Sequence, residues 1–194
     1  MPPKTKVSRE MIAKGAFELV KRDGIGALSA KNLAKQLKCS TQPLFWQYEN
    51  MEEIKSVVLA RANSMFEECL KSGDDGANPY KAIGINYIRF AKEQKQLFKA
   101  LFMSDNNGRD VLSSIEQMPF ILDALNTQSV MDKECSRIVM REMWLFAHGI
   151  ATMTATDTAQ FEQEDVNRML SDVFKGLLNN YGENRIKINK KHII

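Results

Sequence analysis

The chain has 194 residues, enough for a sizeable core in one or two domains, and its 44% hydrophobic and 26% charged residues are those of a globular protein rather than a disordered one. No run approaches the roughly 18 uninterrupted apolar residues of a membrane span, and MPPKTKVSRE at the start lacks the apolar core of a secretory signal, so a cytoplasmic location is expected. The net charge of +3 hides an asymmetry: residues 1–50 carry nine Lys and Arg against four acids, a net +5 that leaves −2 for the remainder. A basic first quarter on a mildly acidic body points to an anionic partner at that end, or else to a solvated basic surface.

The elements follow in chain order. A first helix is expected from about Ser8 to Arg22, because Ile12, Ala16, Leu19 and Val20 recur at helical spacing before Asp23-Gly24. Ser29 stands where an N-cap belongs, followed by Leu33, Ala34 and Leu37 on one face. Ser40 is a second N-cap candidate, opening the short segment TQPLFWQY with Pro43 in its first turn, where a missing N–H costs little. A fourth helix is expected near Asn50 to Leu70, through Ile54, Val57, Val58, Ala62 and Met65. The string KSGDDGANP (71–79) is the clearest break. Beyond it come helical runs at about 80–103, 109–127, 132–156 and 162–181, separated by SDNNG, by Met118-Pro119 and by the polar stretch around Asp157. ENRIKINKKHII ends the sequence as a basic tail. No strand-like alternation and no internal repeat emerge, so the fold class is all-α. The expected domains are 1–52, 53–182 and a tail at 183–194.

Three short helices, the last two joined by the tight turn LKCS, have the spacing of a helix-turn-helix. In such a unit the middle helix braces the DNA backbone and the last enters the major groove. Leu44 and Tyr48, four apart, share a face suited to burial. Thr41, Gln42, Pro43, Phe45, Trp46 and Gln47 are left for outer and flanking faces. Gln can read a base edge, Thr and Pro offer contacts to a thymine methyl, and aromatics can lie against sugar and phosphate. The plainer alternative is that Phe45 and Trp46 pack against the first and fourth helices.

ALSAKNLAKQLKCSTQPLFWQYENMEEI, extended back through REMIAKGAFELVKRDG, resembles the DNA-binding domain of the TetR (tetracycline repressor) family over roughly residues 8–60. The resemblance implies a dimer on a palindromic double-stranded operator. Ser29 would cap the bracing helix, Lys31 would contact phosphate, and Thr41, Gln42, Pro43, Phe45, Trp46 and Gln47 would meet DNA. Three positions depart from the pattern. Lys38 replaces the usual turn Gly and must take an unusual backbone conformation or reshape the turn. Phe45 replaces Tyr, and Met51 replaces Lys, each removing a phosphate grip. Lys4, Lys6 and Arg9 in a basic arm could compensate, if that arm is ordered.

FAKEQKQLFKALFM (90–103) and WLFAHGIA (144–151) resemble the Trp-His-Gly type of C-terminal domain within that family. This implies a helical core with a ligand cavity, and dimerisation through the last two long helices. Phe98, Phe102, Met103, Met118, Phe120, Met140, Met143 and Trp144 are candidates to line an apolar pocket, with His148 as the orienting polar group. Aromatic and Met residues at helical spacing are more often plain core, and His148-Gly149 is more often a close helix contact, which the small residues Ala147, Gly149 and Ala151 would allow. Val166, Met169, Leu170, Val173, Phe174, Leu177 and Leu178 form a stripe wide enough for core and partner together.

An enzyme is disfavoured. Gly24-Ile25-Gly26 lacks a third glycine and a preceding strand, and no HExxH, metal-ligand cluster or nucleophile context appears, so no catalytic residue, metal or cofactor is expected. Cys39, Cys69 and Cys135, odd in number and without a CxxC pair, fit reduced thiols, with redox sensing as the alternative. The reading is a ligand-responsive dimeric repressor released by a small apolar molecule. The alternative is a DNA-binding regulator whose C-terminal domain binds a protein or only dimerises.

Overall fold

The computed structural model describes residues 7–72, 78–104, 111–128 and 131–181, apart from the side chain of Ser114, and among these residues all regular structure is helical. The helices are α1 (Arg9–Asp23), α2 (Ala30–Gln36), α3 (Gln42–Phe45), α4 (Met51–Lys71), α5 (Pro79–Glu93), α6 (Lys95–Phe102), α7 (Val111–Glu116), α8 (Pro119–Asn126), α9 (Lys133–Ala155) and α10 (Gln163–Tyr181), with a 3-10 turn at Ile25–Ala27. The expected run at 80–103 is thus two helices that break at Gln94, and Met118-Pro119 divides the run at 109–127. Lys4, Lys6 and the tail at 183–194 lie outside the described residues.

Packing separates two compact units, Met1–Glu68 with Phe90–Gly108 and Cys69–Arg89 with Arg109–Ile194. Their boundaries fall inside α4 and α5 rather than at residue 52, because α4 runs unbroken for 21 residues and α6 returns to pack on α1.

The N-terminal unit is organised by α1. Ser8 caps it by accepting from the Met11 N–H at 3.2 Å, and Gly24, at φ 86°, ends it with its N–H on the Val20 carbonyl. Its buried face carries Ile12, Ala16, Phe17, Leu19 and Val20. Gly15 lets α2 approach: a Cβ there would stand 2.8 Å from Leu37 Cδ2, and the Gln36 side chain donates to the Gly15 carbonyl at 2.7 Å. On α4, Ile54, Val58, Ala62 and Phe66 are buried at helical spacing, and the Arg61 guanidinium lies 4.4 Å from the Phe17 ring centre. Phe66 meets Phe90 and Phe102 edge-on at 5.3 and 5.1 Å, and Phe98 packs on Phe102 at 4.9 Å.

In the C-terminal unit α9 is central, touching α7, α8 and α10. Asp132 caps it by accepting from the Cys135 N–H at 2.8 Å, and Asp157, at φ 58°, follows its end. Asn86 is a buried polar residue that donates to the carbonyls of Leu70 and Ser72, satisfying acceptors that the end of α4 leaves open. Arg141 of α9 bonds Glu116 of α7 at 2.5 Å.

Candidate nucleic-acid interface and ligand cavity

The helix-turn-helix is assembled from local chemistry. Ser29, in extended conformation, accepts from the Asn32 N–H at 3.3 Å and starts α2. The turn passes through Lys38 at φ 53°, so the position where the family pattern has Gly does take a left-handed backbone. The next helix starts one residue later than Ser40 suggested. Thr41 is the N-cap of α3 and is already in a helical conformation, φ −72° and ψ −23°, so it makes no side-chain cap bond and its hydroxyl stays exposed. Pro43 occupies the first turn.

Leu44 and Tyr48 are buried and hold α3 down. Opposite them, Trp46 is 70% exposed and Phe45 is 44% exposed, so packing against α1 and α4 does not account for either. Thr41 and Gln42 are exposed beside them, Pro43 and Gln47 are half-buried, and Lys31, Lys35 and Lys38 are exposed on the preceding helix and turn. An aromatic pair left in water beside polar and basic groups is the composition of a surface that meets sugar, phosphate and base edges.

Arg9 does not belong to a free arm. As the first residue of α1 it donates to Glu53 at 2.5 Å and to the Gln47 carbonyl, and its guanidinium lies 4.1 Å from the Tyr48 ring centre. The Tyr48 hydroxyl returns a bond to the Arg9 carbonyl at 3.1 Å. Glu53 also accepts from the Glu49 N–H at 2.7 Å; that bond first, and Arg9 second, hold its carboxyl below the usual range. The end of α3 is therefore tied to the starts of α1 and α4, which fixes how Trp46 is offered. The pattern of a basic residue at the start of α1 and an acid at the start of α4 could have been noticed in the sequence, but nothing there pairs them.

The C-terminal unit holds a partly open hollow of about 130 Å³. Leu70, Ile83, Ile115, Ile121, Met140 and Met143 form aliphatic wall, and Tyr80, Tyr87, Trp144 and Phe174 form aromatic wall. Trp144 stacks on His148 at 4.7 Å and 15°, and the Tyr87 hydroxyl shares a 2.8 Å hydrogen bond with His148 Nδ1. Burial pushes the His148 pKa below its usual value, so the ring is neutral at neutral pH, and burial pushes the Tyr87 hydroxyl far up, the Trp144 indole offsetting part of that. The indole N–H is enclosed yet falls short of hydrogen-bond geometry to any acceptor among the described residues.

The candidate pocket residues are divided by this arrangement. Met140, Met143 and Trp144 line the hollow. His148 is not in its wall but behind it, bonded to Tyr87. Phe98 is buried core of the other unit with Phe102 half-buried against it, and Met103 is 43% exposed there. Met118 and Phe120 are half-buried outside the wall, Phe120 under the Lys71 ammonium at 4.8 Å. The stripe on α10 also divides. Val166 and Leu170 are buried within this unit, and Leu170 and Phe174 line the hollow, leaving Met169, Val173, Leu177 and Leu178 partly exposed. Gly149 is exposed with open space where a Cβ would go, so it makes no close helix contact among the described residues. Sequence reasoning missed Tyr80, Gly84 and Tyr87, whose spacing of four and three along α5 was the available signal.

No group of His, Cys, Asp and Glu among the described residues could hold a metal ion. The three cysteines are unpaired and half-buried, and burial raises the Cys135 pKa, the reverse of an activated thiol. No helix among the described residues is long and apolar enough to cross a membrane.

A helix-turn-helix with an exposed aromatic face, and a helical unit with an apolar hollow, are the features of a class of DNA-binding regulator. A family model described as "Tetracyclin repressor-like, C-terminal domain" matches residues 80–177, just over half of the chain. Solved structures share the fold. A TetR-like transcriptional regulator from Rhodococcus sp. RHA1 is 15% identical at a TM-score of 0.67, over 93% of this chain and 99% of that one. A TetR family member from Streptomyces coelicolor A3 is 15% identical at 0.62, over 85% and 96%. Apo ActR from Streptomyces coelicolor is 15% identical at 0.54, over 94% and 100%. No curated protein matches the sequence significantly. The chain belongs to the TetR family: it is a transcriptional regulator of the DNA-binding kind, not an enzyme.

Proposed function

We propose that this regulator is a homodimeric repressor that reads a palindromic operator in the bacterial cytoplasm, associated there with the nucleoid, and is released by a small, mainly apolar molecule. The observation that carries the DNA-reading part is the exposed face of α3, where Trp46 and Phe45 stand in water beside Thr41 and Gln42. Ser29 shapes the bracing helix and Lys31 grips phosphate, with Lys4 and Lys6 of the preceding segment adding to that grip, while Pro43 and Gln47 flank the reading face.

The dimer would bury the outer faces of α9 and α10. Leu145 and Met153 are 53% and 48% exposed on α9 with the open Gly149 between them, and Met169, Val173 and Leu177 continue the apolar surface on α10. A two-fold dimer carries two reading heads, which matches an inverted repeat. The hollow supports a small-molecule effector over the alternative of a domain that binds a protein or only dimerises, since neither of those needs an apolar space. α4 is the lever: the same helix carries Ile54 of the reading unit and Leu70 of the hollow's wall. An effector that prefers the conformation with the wrong head spacing lowers operator affinity, and DNA lowers effector affinity by the same factor.

The test is duplex binding by fluorescence anisotropy between 50 and 200 mM salt, with sedimentation to give the stoichiometry, on wild type and on Lys31→Ala/Trp46→Ala. Two chains per duplex, an affinity falling steeply with salt, and a weaker variant with unchanged melting are expected. Equal binding by the variant, or monomers on DNA, would overturn the reading.

A further inference from the structure

The wall of the hollow is not uniform, and the distribution of its polar groups selects a ligand class. Asn78, Lys81, Ser171 and Lys175 are the polar residues that line it, two at the start of α5 and two on α10. These two stretches meet: the rings of Tyr80 and Phe174 lie 5.4 Å apart, and Lys81 and Lys175 are their immediate chain neighbours. Both lysines therefore flank one end of the hollow. Lys175 is exposed and Lys81 half-buried, so this end reaches solvent. Tyr87 and Trp144 mark the other end, about 10 Å further along α5.

Two of the other polar groups at the mouth are held by the chain itself. Asn78 Oδ1 accepts from the Lys81 N–H at 2.9 Å, and the Ser171 hydroxyl donates to the Asn167 carbonyl at 2.8 Å. Among the described residues, neither ammonium has a carboxylate partner and no Asp or Glu lines the hollow. Two like charges at the rim of an apolar space repel a cationic guest, are indifferent to a neutral one, and attract an anion. Because the mouth is wet, an anionic head there keeps part of its hydration, while its apolar body gains from leaving water. A space of this volume is close to one that takes up a single benzene ring.

We propose that the hollow binds a small amphipathic carboxylate, a single-ring or short-chain apolar body lying toward Tyr87, Trp144 and Met140 with its carboxylate between Lys81 and Lys175. This assigns the chemical class of the effector and rests on the hollow being the effector site. Exposed charge pairs contribute little each, so the two together favour an acid over its uncharged counterpart by about two- to thirtyfold in affinity.

The test uses the full chain carrying Trp46→Phe, which leaves Trp144 as its one tryptophan and a reporter in the wall. Its emission is titrated with two matched sets: phenylacetate, 2-phenylethanol and 2-phenylethylamine, then octanoate, 1-octanol and octylamine. In at least one set the acid is expected to bind about two- to thirtyfold tighter than the alcohol, with the amine weakest. That preference should shrink between 50 and 200 mM salt. It should vanish in Lys81→Gln/Lys175→Gln, with the alcohol's affinity and the melting temperature unchanged. Alcohols that bind as tightly as the acids, or a preference that survives the double substitution, would overturn the charge assignment while leaving the hollow as a binding site. No response to any of the six compounds would overturn both.

Discussion

Gly84 sits in the middle of α5, where glycine is a poor helix former, and its Cα faces the hollow. Replacing it with Ala removes a helix-interior cost of about 1 kcal/mol. The new methyl would stand 3.4 and 3.6 Å from the two terminal carbons of Leu170, at ordinary contact distance. Its burial adds up to about 0.8 kcal/mol, less because one side of it faces empty space. Gly84→Ala should therefore stabilise the chain by about 1–1.5 kcal/mol, raising the melting temperature by roughly 2–5 °C for a protein of this size. The same methyl occupies part of a hollow of about 130 Å³, so a guest that fills it should bind several-fold more weakly. Thermal melting followed by circular dichroism gives the first number, and a Trp144 emission titration gives the second. A lower melting temperature would refute the packing argument, because it would mean Leu170 has no room to meet the methyl. A higher one with unaltered binding would refute the assignment of the hollow as the ligand site.

Lys38→Gly should raise stability by about 0.5–1 kcal/mol in urea unfolding, since a left-handed lysine at φ 53° costs about 1–2 kcal/mol and glycine's extra chain entropy returns part of the gain. Tyr48→Phe deletes the bond to the Arg9 carbonyl and should cost about 1 kcal/mol in the same assay; no change would mean the tie between α1 and α3 is incidental. His148 has a folded pKa below its unfolded value of about 6.5, so the unfolded chain binds the extra proton. Its contribution is complete above pH 6.5 and declines as the pH falls below that. Melting temperature should drop between pH 7 and pH 5, and the drop should be smaller in His148→Gln.

The N-terminal unit was legible because its constraints are local. Ser8 and Ser29 cap where the apolar period begins, Leu44 and Tyr48 are one helical turn apart, and the family resemblance, with Gly usual at position 38, pointed to the left-handed backbone found at Lys38. The start of α3 was off by one residue because Thr41 enters the helical region without using its hydroxyl as a cap, which spacing alone does not reveal. The C-terminal unit was less legible. Periodicity says that one face of a helix is covered, not what covers it. Phe98 and Phe102 have the spacing of pocket residues, yet Phe102 meets Phe66 and Phe98 packs on Phe102, since α6 turns back toward α1. Leu170 and Phe174 have the spacing of an interface yet face the hollow. His148, a lone polar residue in an apolar stretch, attracts attention as a ligand group, but its partner Tyr87 is 61 residues away and no sequence signal joins them.

The central claim is that the exposed face of α3 reads DNA sequence as part of a symmetric pair. Selection of bound duplexes from a random library at moderate salt tests it most directly, with wild type compared against Gln42→Ala/Trp46→Ala. Both residues are exposed, so the double variant should melt like wild type. An inverted repeat with half-sites about one helical turn apart, recovered by wild type and lost by the variant, is the predicted result. The same repeat recovered by both proteins, or no enrichment by wild type, would contradict it.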